Sequence, residues 1–142
     1  MMDNIPLIAA GAGLVGLLIA FTLYMRVNKV EIDNEIVADI TNEIQDGAMA
    51  FLKAEYRVLG IFVVVVGVLL WFLNGGEPET TIAFFAGALA SVGAGFSGMR
   101  AATSANGRTA MAAKSGGQPA ALAVSYNGGA VMGLSVGGLG LL

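Results

Sequence analysis

The stretch that decides the fold is SGGQPAALAVSYNGGAVMGLSVGGLGLL, residues 115–142, which contains no charged residue. It is longer than the roughly twenty residues that an α-helix needs to cross the hydrocarbon core of a bilayer. Small residues occupy every fourth position in it: Ala121, Ser125, Gly129, Gly133 and Gly137. Because helices in lipid approach closely where side chains are small, this stripe predicts a membrane-spanning helix that packs against other helices.

The composition is typical of a membrane protein. Of the 142 residues, 56% are hydrophobic and only 12% are charged, and the apolar residues form blocks that the charged ones separate. A formal net charge of -3 with mixed signs offers no broad basic field, so nucleic acid is not an expected partner. Cysteine and histidine are absent, which excludes zinc sites and Cys/His catalysis.

Three further uncharged blocks precede the C-terminal one, at residues 4–25, 58–74 and 80–99. Each is expected to be helical, because only internal backbone hydrogen bonds are available in lipid. We therefore predict an all-α membrane protein with a single transmembrane region, residues 1–142. Its four transmembrane helices are expected at about 4–25, 56–74, 80–101 and 119–142. No Lys or Arg precedes the first block, so we interpret it as a retained span and not as a cleaved signal peptide.

The distribution of basic residues predicts the orientation of these helices. The segments 26–57 and 100–118 contain all seven of them, and the short loop 75–79 contains none. They are Arg26, Lys29, Lys53, Arg57, Arg100, Arg108 and Lys114. Because Lys and Arg accumulate on the cytoplasmic side, both segments are expected to be cytoplasmic, with the N-terminus and the C-terminus outside.

Small residues also form rows in the third predicted span. They lie at Ala83, Gly87, Ser91 and Gly95, and at Ala86, Ala90, Ala94 and Gly98. We predict that Gly87, Ser91, Gly95, Ser125, Gly129, Gly133 and Gly137 contact other helices, and that spans three and four are interior. The second span is bulkier and is expected to face lipid. The alternative interpretation is that glycine is simply common in membrane helices.

The first cytoplasmic segment has the pattern of an amphipathic helix. Apolar residues recur every four positions, at Ile32, Ile36, Ile40, Ile44, Ala48 and Leu52. An acidic row runs beside them, at Glu31, Glu35, Asp39 and Glu43. We predict a helix that continues into the second span and extends it into the cytoplasm, with the isoleucines packed and the acidic face solvated. A basic partner facing the acidic row is the alternative.

Candidate residues for chemistry are few. No predicted span contains Asp, Glu, Lys or Arg, which argues against small four-helix multidrug antiporters and the proton-binding hairpins of rotary ATP synthases. Asn127, in the most polar intramembrane cluster, is expected to make an interhelical hydrogen bond, with an ion path as the alternative. The segment 100–118 lacks the P-loop order, so Arg100, Arg108 and Lys114 are expected to be structural, with phosphate contact as the alternative.

Three stretches together resemble a known family. They are residues 44–56, IQDGAMAFLKAEY; residues 95–113, GFSGMRAATSANGRTAMAA; and residues 121–142, ALAVSYNGGAVMGLSVGGLGLL. In order and spacing they resemble the N-terminal region of the membrane-bound, ion-pumping inorganic pyrophosphatases. Ala54 departs from the family pattern, which more often has a basic residue there.

The resemblance implies that the chain is the N-terminal, outer-ring portion of a larger pump. Family members have many more helices, in two concentric rings, and are usually homodimers. Their pyrophosphate and Mg²⁺ are held by aspartate-rich motifs on later helices, and neither motif occurs here. The resemblance therefore implies a scaffold role for this chain, without catalytic, cofactor-binding or metal-binding residues of its own. In the full protein, diphosphate hydrolysis would drive H⁺ or Na⁺ outward.

The expected partners follow from the same resemblance: the lipid bilayer, the remaining helices of the pump, a second copy of the complete pump, and pyrophosphate only through downstream segments. The sequence leaves open which ion is pumped and whether potassium activates. An alternative from another class is an autonomous small membrane protein that self-associates through its glycine-striped helices and catalyses nothing.

Overall fold

The computed structural model describes residues 4–73, 75 and 78–142, and all regular secondary structure in those ranges is helical. Helix α1 covers Ile5–Asn28, α2 covers Glu35–Leu73 and α3 covers Pro78–Leu141. All three are long and apolar enough to cross a membrane. The predicted all-α class, with helices long and apolar enough to cross a membrane, is therefore confirmed.

The number of helices differs from the prediction. The third and fourth predicted spans both lie in α3, so the described residues form three helices and not four. Gly117 inside α3 has φ 68° and ψ −165°, which is not helical. This left-handed region is open to glycine at little cost, and Pro119 disfavours a helical conformation at the residue before it. The chain therefore turns at Gly117, between two helical segments of α3.

Contacts between residues far apart in α3 show that it folds back on itself. A Cβ atom built on Gly98 would lie 2.6 Å from Cγ of Met132, and one on Gly128 would lie 2.6 Å from Cβ of Ala105. In a straight helix, Gly98 and Met132 would be about 50 Å apart. Residues 78–116 and 118–141 are therefore the two arms of an antiparallel hairpin that turns at Gly117.

Local sequence explains where α1 begins and ends and where α2 begins. Proline stands in the first turn of α1, where its missing N–H costs nothing, and Arg26 in its last turn complements the negative end of the helix dipole. Helix α2 begins later than the isoleucine pattern suggests, at Glu35, because Asn34 caps it: the Val37 N–H donates to Asn34 Oδ1 at 3.1 Å.

Helix α2 is 39 residues long and contains both the acidic segment and the apolar segment without a break. At 1.5 Å per residue it measures about 58 Å, roughly twice the thickness of the hydrocarbon core. The prediction that the isoleucines pack was wrong for Ile36, Ile40 and Ile44, which are exposed. Leu52 of the same row is buried, and so is Thr41, which lies outside the row. A row of strict four-residue spacing winds by about 40° per step around a helix of 3.6 residues per turn, so it cannot stay on one face.

Helix α3 is the centre of the described structure. It contacts both α1 and α2, and within residues 4–73, 75 and 78–142 those two helices do not contact each other. Small residues lie at the closest approaches. Gly13 lies against Gly138, and Gly67 lies against the ring of Phe85. The small residues thus let α1 and α2 approach the hairpin from two sides.

Candidate functional site

A cluster of four polar side chains and one glycine joins all three helices at one level. We call it the polar junction, and it consists of Asn28, Thr41, Ser104, Gly107 and Arg108. Ser104 Oγ donates to Asn28 Oδ1 at 2.9 Å, which links α3 to the end of α1. Arg108 Nη1 donates to both Ser104 Oγ and Ser104 O, each at 2.8 Å. One hydroxyl therefore connects the guanidinium to the α1 amide.

The contact between α2 and α3 at the polar junction depends on a glycine. A Cβ atom on Gly107 would collide with Thr41 Oγ1 and lie 3.1 Å from Cδ1 of Ile32. Thr41 is buried, with 3% of its surface exposed. Its hydroxyl donates a hydrogen bond to Val37 O, so this donor has its partner within α2. The close approach of the two helices here needs a residue without a side chain at position 107.

Arg108 is the charged member of the polar junction. Its Nε is buried without a hydrogen-bond partner, and the hydrogen bonds that it makes to described residues go to neutral oxygens. The carbonyl end of α1, where Asn28 lies, carries the negative end of that helix dipole and favours a nearby cation. The arrangement can hold helices together or bind an anion, but it has no group placed for proton transfer or nucleophilic attack.

A groove lined by small residues runs along the hairpin. Its volume is about 850 Å³, and we call it the small-residue groove. It is lined by Ala83, Ala86, Gly87, Ala90, Ser91, Ala94 and Gly95 from the first arm and by Val136, Leu139, Gly140 and Leu142 from the second. Three predicted packing residues, Gly87, Ser91 and Gly95, therefore line an open groove. This shape matches the approach of another helix.

Gly95 also has a contact inside the chain. Tyr56 of α2 donates its hydroxyl hydrogen to the Val92 carbonyl oxygen at 2.9 Å, and a Cβ on Gly95 would lie 3.0 Å from that phenolic oxygen. The missing side chain at Gly95 leaves room for the tyrosine. Interhelical hydrogen bonding thus involves Tyr56 and Ser104, whereas none from Asn127 to another helix occurs in the part of the chain that the structure describes.

The predicted C-terminal stripe faces away from the helices of this chain. Ser125, Gly129, Gly133 and Gly137 are all exposed, and a Cβ on any of these three glycines would have no heavy atom within 4 Å. The face that packs lies beside it, at Gly128, Val131, Ser135 and Gly138. Sequence reasoning missed these residues, although they alternate spacings of three and four, the pattern that keeps residues on one face of a helix. Contact of the exposed stripe with other helices stays a prediction.

The three basic residues of the second predicted cytoplasmic segment do not form one cluster. Arg100 is exposed and lies beside a second groove of about 550 Å³, between α1 and both arms of the hairpin. Lys114 is exposed near the turn, and only Arg108 enters the polar junction. Sequence reasoning missed Asn28 and Ser104, because no pattern relates two residues that are 76 positions apart.

Potential metal ligands do not cluster in the described residues. Within them, no three His, Cys, Asp or Glu side chains are close enough to hold a metal ion together. Mg²⁺ prefers oxygen ligands that include carboxylates.

Comparison with known proteins gives one consistent result. The model of the family described as inorganic H⁺ pyrophosphatase matches residues 14–142. A putative K⁺-stimulated pyrophosphate-energized sodium pump of Clostridium tetani is 43% identical over 133 residues, which is 94% of this chain and 19% of that protein. A K⁺-insensitive pyrophosphate-energized proton pump of Methanosarcina mazei is 37% identical over 141 residues, which is 99% of this chain and 21% of that protein.

A K⁺-stimulated pyrophosphate-energized sodium pump of Thermotoga maritima is similar too, with 39% identity over 139 residues, or 97% of this chain and 18% of that protein. The chain spans about a fifth of the length of the curated relatives it matches. Sodium pumps and proton pumps are similar to it to comparable degrees, so these identities do not select an ion. On the extent of the family match, the chain belongs to the inorganic H⁺ pyrophosphatase family.

Proposed function

We propose that this chain is the N-terminal, outer-ring portion of a pyrophosphate-energised ion pump and supports catalytic helices that lie elsewhere in the protein. The observation that carries the proposal is the open small-residue groove on α3, the helix that is already central to this chain. Lipid tails fill such a groove less well than a helix does, because a backbone can approach a row of glycines and alanines closely.

The activity that we propose for the whole protein is diphosphate hydrolysis coupled to outward transport of H⁺ or Na⁺. The printed names of the relatives support this, since they are pyrophosphate-energized proton or sodium pumps. We propose that Mg²⁺ and pyrophosphate bind to residues outside this chain, and that the complete pump is a homodimer. This chain alone is expected to be inactive.

We propose a topology in which each arm of the α3 hairpin enters the membrane, so that the chain contributes four crossing segments. The segments 26–57 and 100–118 are cytoplasmic and the N-terminus is outside. The Ser104–Asn28 hydrogen bond supports this topology, because it aligns α1 with the first arm of the hairpin. In that alignment residues 25 and 101, the predicted cytoplasmic ends of the first and third spans, lie at the same height along the helix axes.

Divided expression of the pump tests the scaffold role. Membranes that contain residues 1–142 alone, the remainder of the pump alone, or both together would be assayed for magnesium-dependent release of phosphate from diphosphate. We expect turnover only when both parts are present, because the remainder carries the ligands and this chain supports them. Turnover by residues 1–142 alone would refute the scaffold role.

An autonomous, self-associating membrane protein is a second candidate, favoured by the exposed stripe at Gly129, Gly133 and Gly137. If this function is correct, the isolated chain forms a defined homo-oligomer that Gly133→Leu abolishes, because a bulky side chain separates the two backbones. Crosslinking in membranes measures this. If the isolated chain forms no defined oligomer, this candidate is excluded.

A further inference from the structure

Residues 118–130 are uncharged and form the first part of the second hairpin arm. We propose that they lie outside the bilayer on the cytoplasmic side. There they form, with residues 35–52 and 102–116, a three-helix bundle that we call the stalk. The proposal rests on the topology under Proposed function and changes one part of it: the last crossing begins near Val131 and not at Pro119.

The register of the hairpin gives the first reason. Gly98 packs on Met132 and Ala105 packs on Gly128, so each residue of one arm has a partner at the same level of the other. This register puts Ser125 level with residues 105–108. Arg108 belongs to that level and lies in a segment that its basic residues assign to the cytoplasm.

The register between α2 and α3 gives the second reason. Gly107 packs on Thr41, so this level of the hairpin coincides with the acidic part of α2. Asp39 and Glu43 lie on either side of Thr41 in sequence and are exposed. Two exposed carboxylates at one level are not compatible with hydrocarbon, where an ionised side chain is costly. Ser125 is at the same level and therefore also in an aqueous region.

The contact with α1 gives the third reason. The middle of the first span, at Gly13, packs on Gly138, and a Cβ on Gly13 would lie 3.3 Å from Cγ of Leu142. If residues 119–142 formed the span, its middle near Ala130 would be at this level. The observed contact is displaced by eight residues, or about 12 Å along the helix. Leu142 is then level with the middle of span one, and the expectation that it lies outside is revised.

Cysteine labelling of the full-length pump in inside-out vesicles tests the proposal. The chain contains no cysteine, so single substitutions add the only thiols in this region. The reagent is a charged, membrane-impermeant maleimide added to the cytoplasmic side. Ser125→Cys is the test, Ser115→Cys is the cytoplasmic control and Ser91→Cys is the control in the middle of the third span. All three serines are exposed in the structure, and the replacement is nearly isosteric.

We expect Ser125→Cys to react within about tenfold of the Ser115→Cys rate and at least about a hundredfold faster than Ser91→Cys, because a thiol in hydrocarbon does not ionise to the reactive thiolate. Ala123→Cys and Tyr126→Cys place thiols on two other faces of the same turn, which covers the case in which another helix shields one face. Reaction at any of the three positions supports the stalk.

Two failures are distinguishable. If Ser115→Cys reacts, Ser91→Cys does not, and all of positions 123, 125 and 126 are silent, the stalk proposal is overturned and the proposed topology stands. If Ser115→Cys reacts only in right-side-out vesicles, or Ser91→Cys reacts as fast as Ser115→Cys, the proposed topology itself is overturned.

Discussion

Replacing Gly13 by alanine tests how tightly α1 packs on the α3 hairpin. The added Cβ would lie 2.6 Å from the Gly138 carbonyl oxygen and 3.2 Å from Cβ of Leu141. The nearest obstacle is backbone, which cannot rotate away as a side chain can, so the two helices must separate by most of an ångström. Overpacking of this kind costs about 1–3 kcal/mol.

The same helix offers a matched control. A Cβ on Gly11 would have no heavy atom within 4 Å, and glycine is less favourable than alanine inside a helix by about 0.5–1 kcal/mol. Gly11→Ala is therefore expected to be neutral or slightly stabilising. Since Gly13→Ala gains the same helix propensity, the difference between the two variants isolates the steric cost at the interface.

The assay is thermal inactivation of the full-length pump in detergent, followed as residual diphosphatase activity after heating. Gly13→Ala is expected to lower the midpoint relative to the unsubstituted pump, and Gly11→Ala is not. If the two variants inactivate at the same temperature, α1 does not pack on the hairpin at Gly138 as described, and the reasoning about close helix contact fails at this position.

Two further substitutions test the polar junction and the hairpin turn by the same assay. Ser104→Ala removes one of the two acceptors of Arg108 Nη1 and the donor to Asn28 Oδ1, which is expected to destabilise by about 1–3 kcal/mol, whereas Ser115→Ala, at an exposed position near the turn, is not expected to destabilise. Gly117→Ala places a Cβ at positive φ and extended ψ, a backbone conformation essentially restricted to glycine, at a cost of about 1–3 kcal/mol. Gly47→Ala, in a helix with open space around it, is expected to be harmless. Equal midpoints within either pair would contradict the corresponding structural account.

The fold class could be predicted from sequence because it depends on the charge and hydropathy of individual residues along each block. An uncharged block of sufficient length has few alternatives to a helix in lipid. The face on which a helix packs depends on angles instead, and a row with a period of four drifts from a helix with a period of 3.6. The face that packs within this chain contains Gly128 and Ser135, beside the predicted stripe with Ser125 and Gly133, and contact of that stripe with other helices stays a prediction.

The polar junction could be predicted only in part. Arg108 was identified as a candidate because segment 100–118 contains two arginines, a lysine and several hydroxyl residues. Its partners belong to a different helix and to a different part of the sequence, and the bond from Ser104 to Asn28 exists only because the hairpin brings α1 alongside. Such a pair follows from the register of packed helices, which no local pattern encodes.

The uncharged C-terminal stretch shows why hydropathy alone misplaces a helix of small residues. Glycine, alanine and serine bury little apolar surface, so moving them between lipid and water changes the free energy little. A helix made of them can lie on either side of the membrane boundary, and the absence of charge does not decide which. What decides is the partner along which it packs. Since residues 118–130 lie along the arm that carries Arg108 and Lys114, the position of those two charges, and not the composition of the stretch itself, is expected to hold it outside the bilayer.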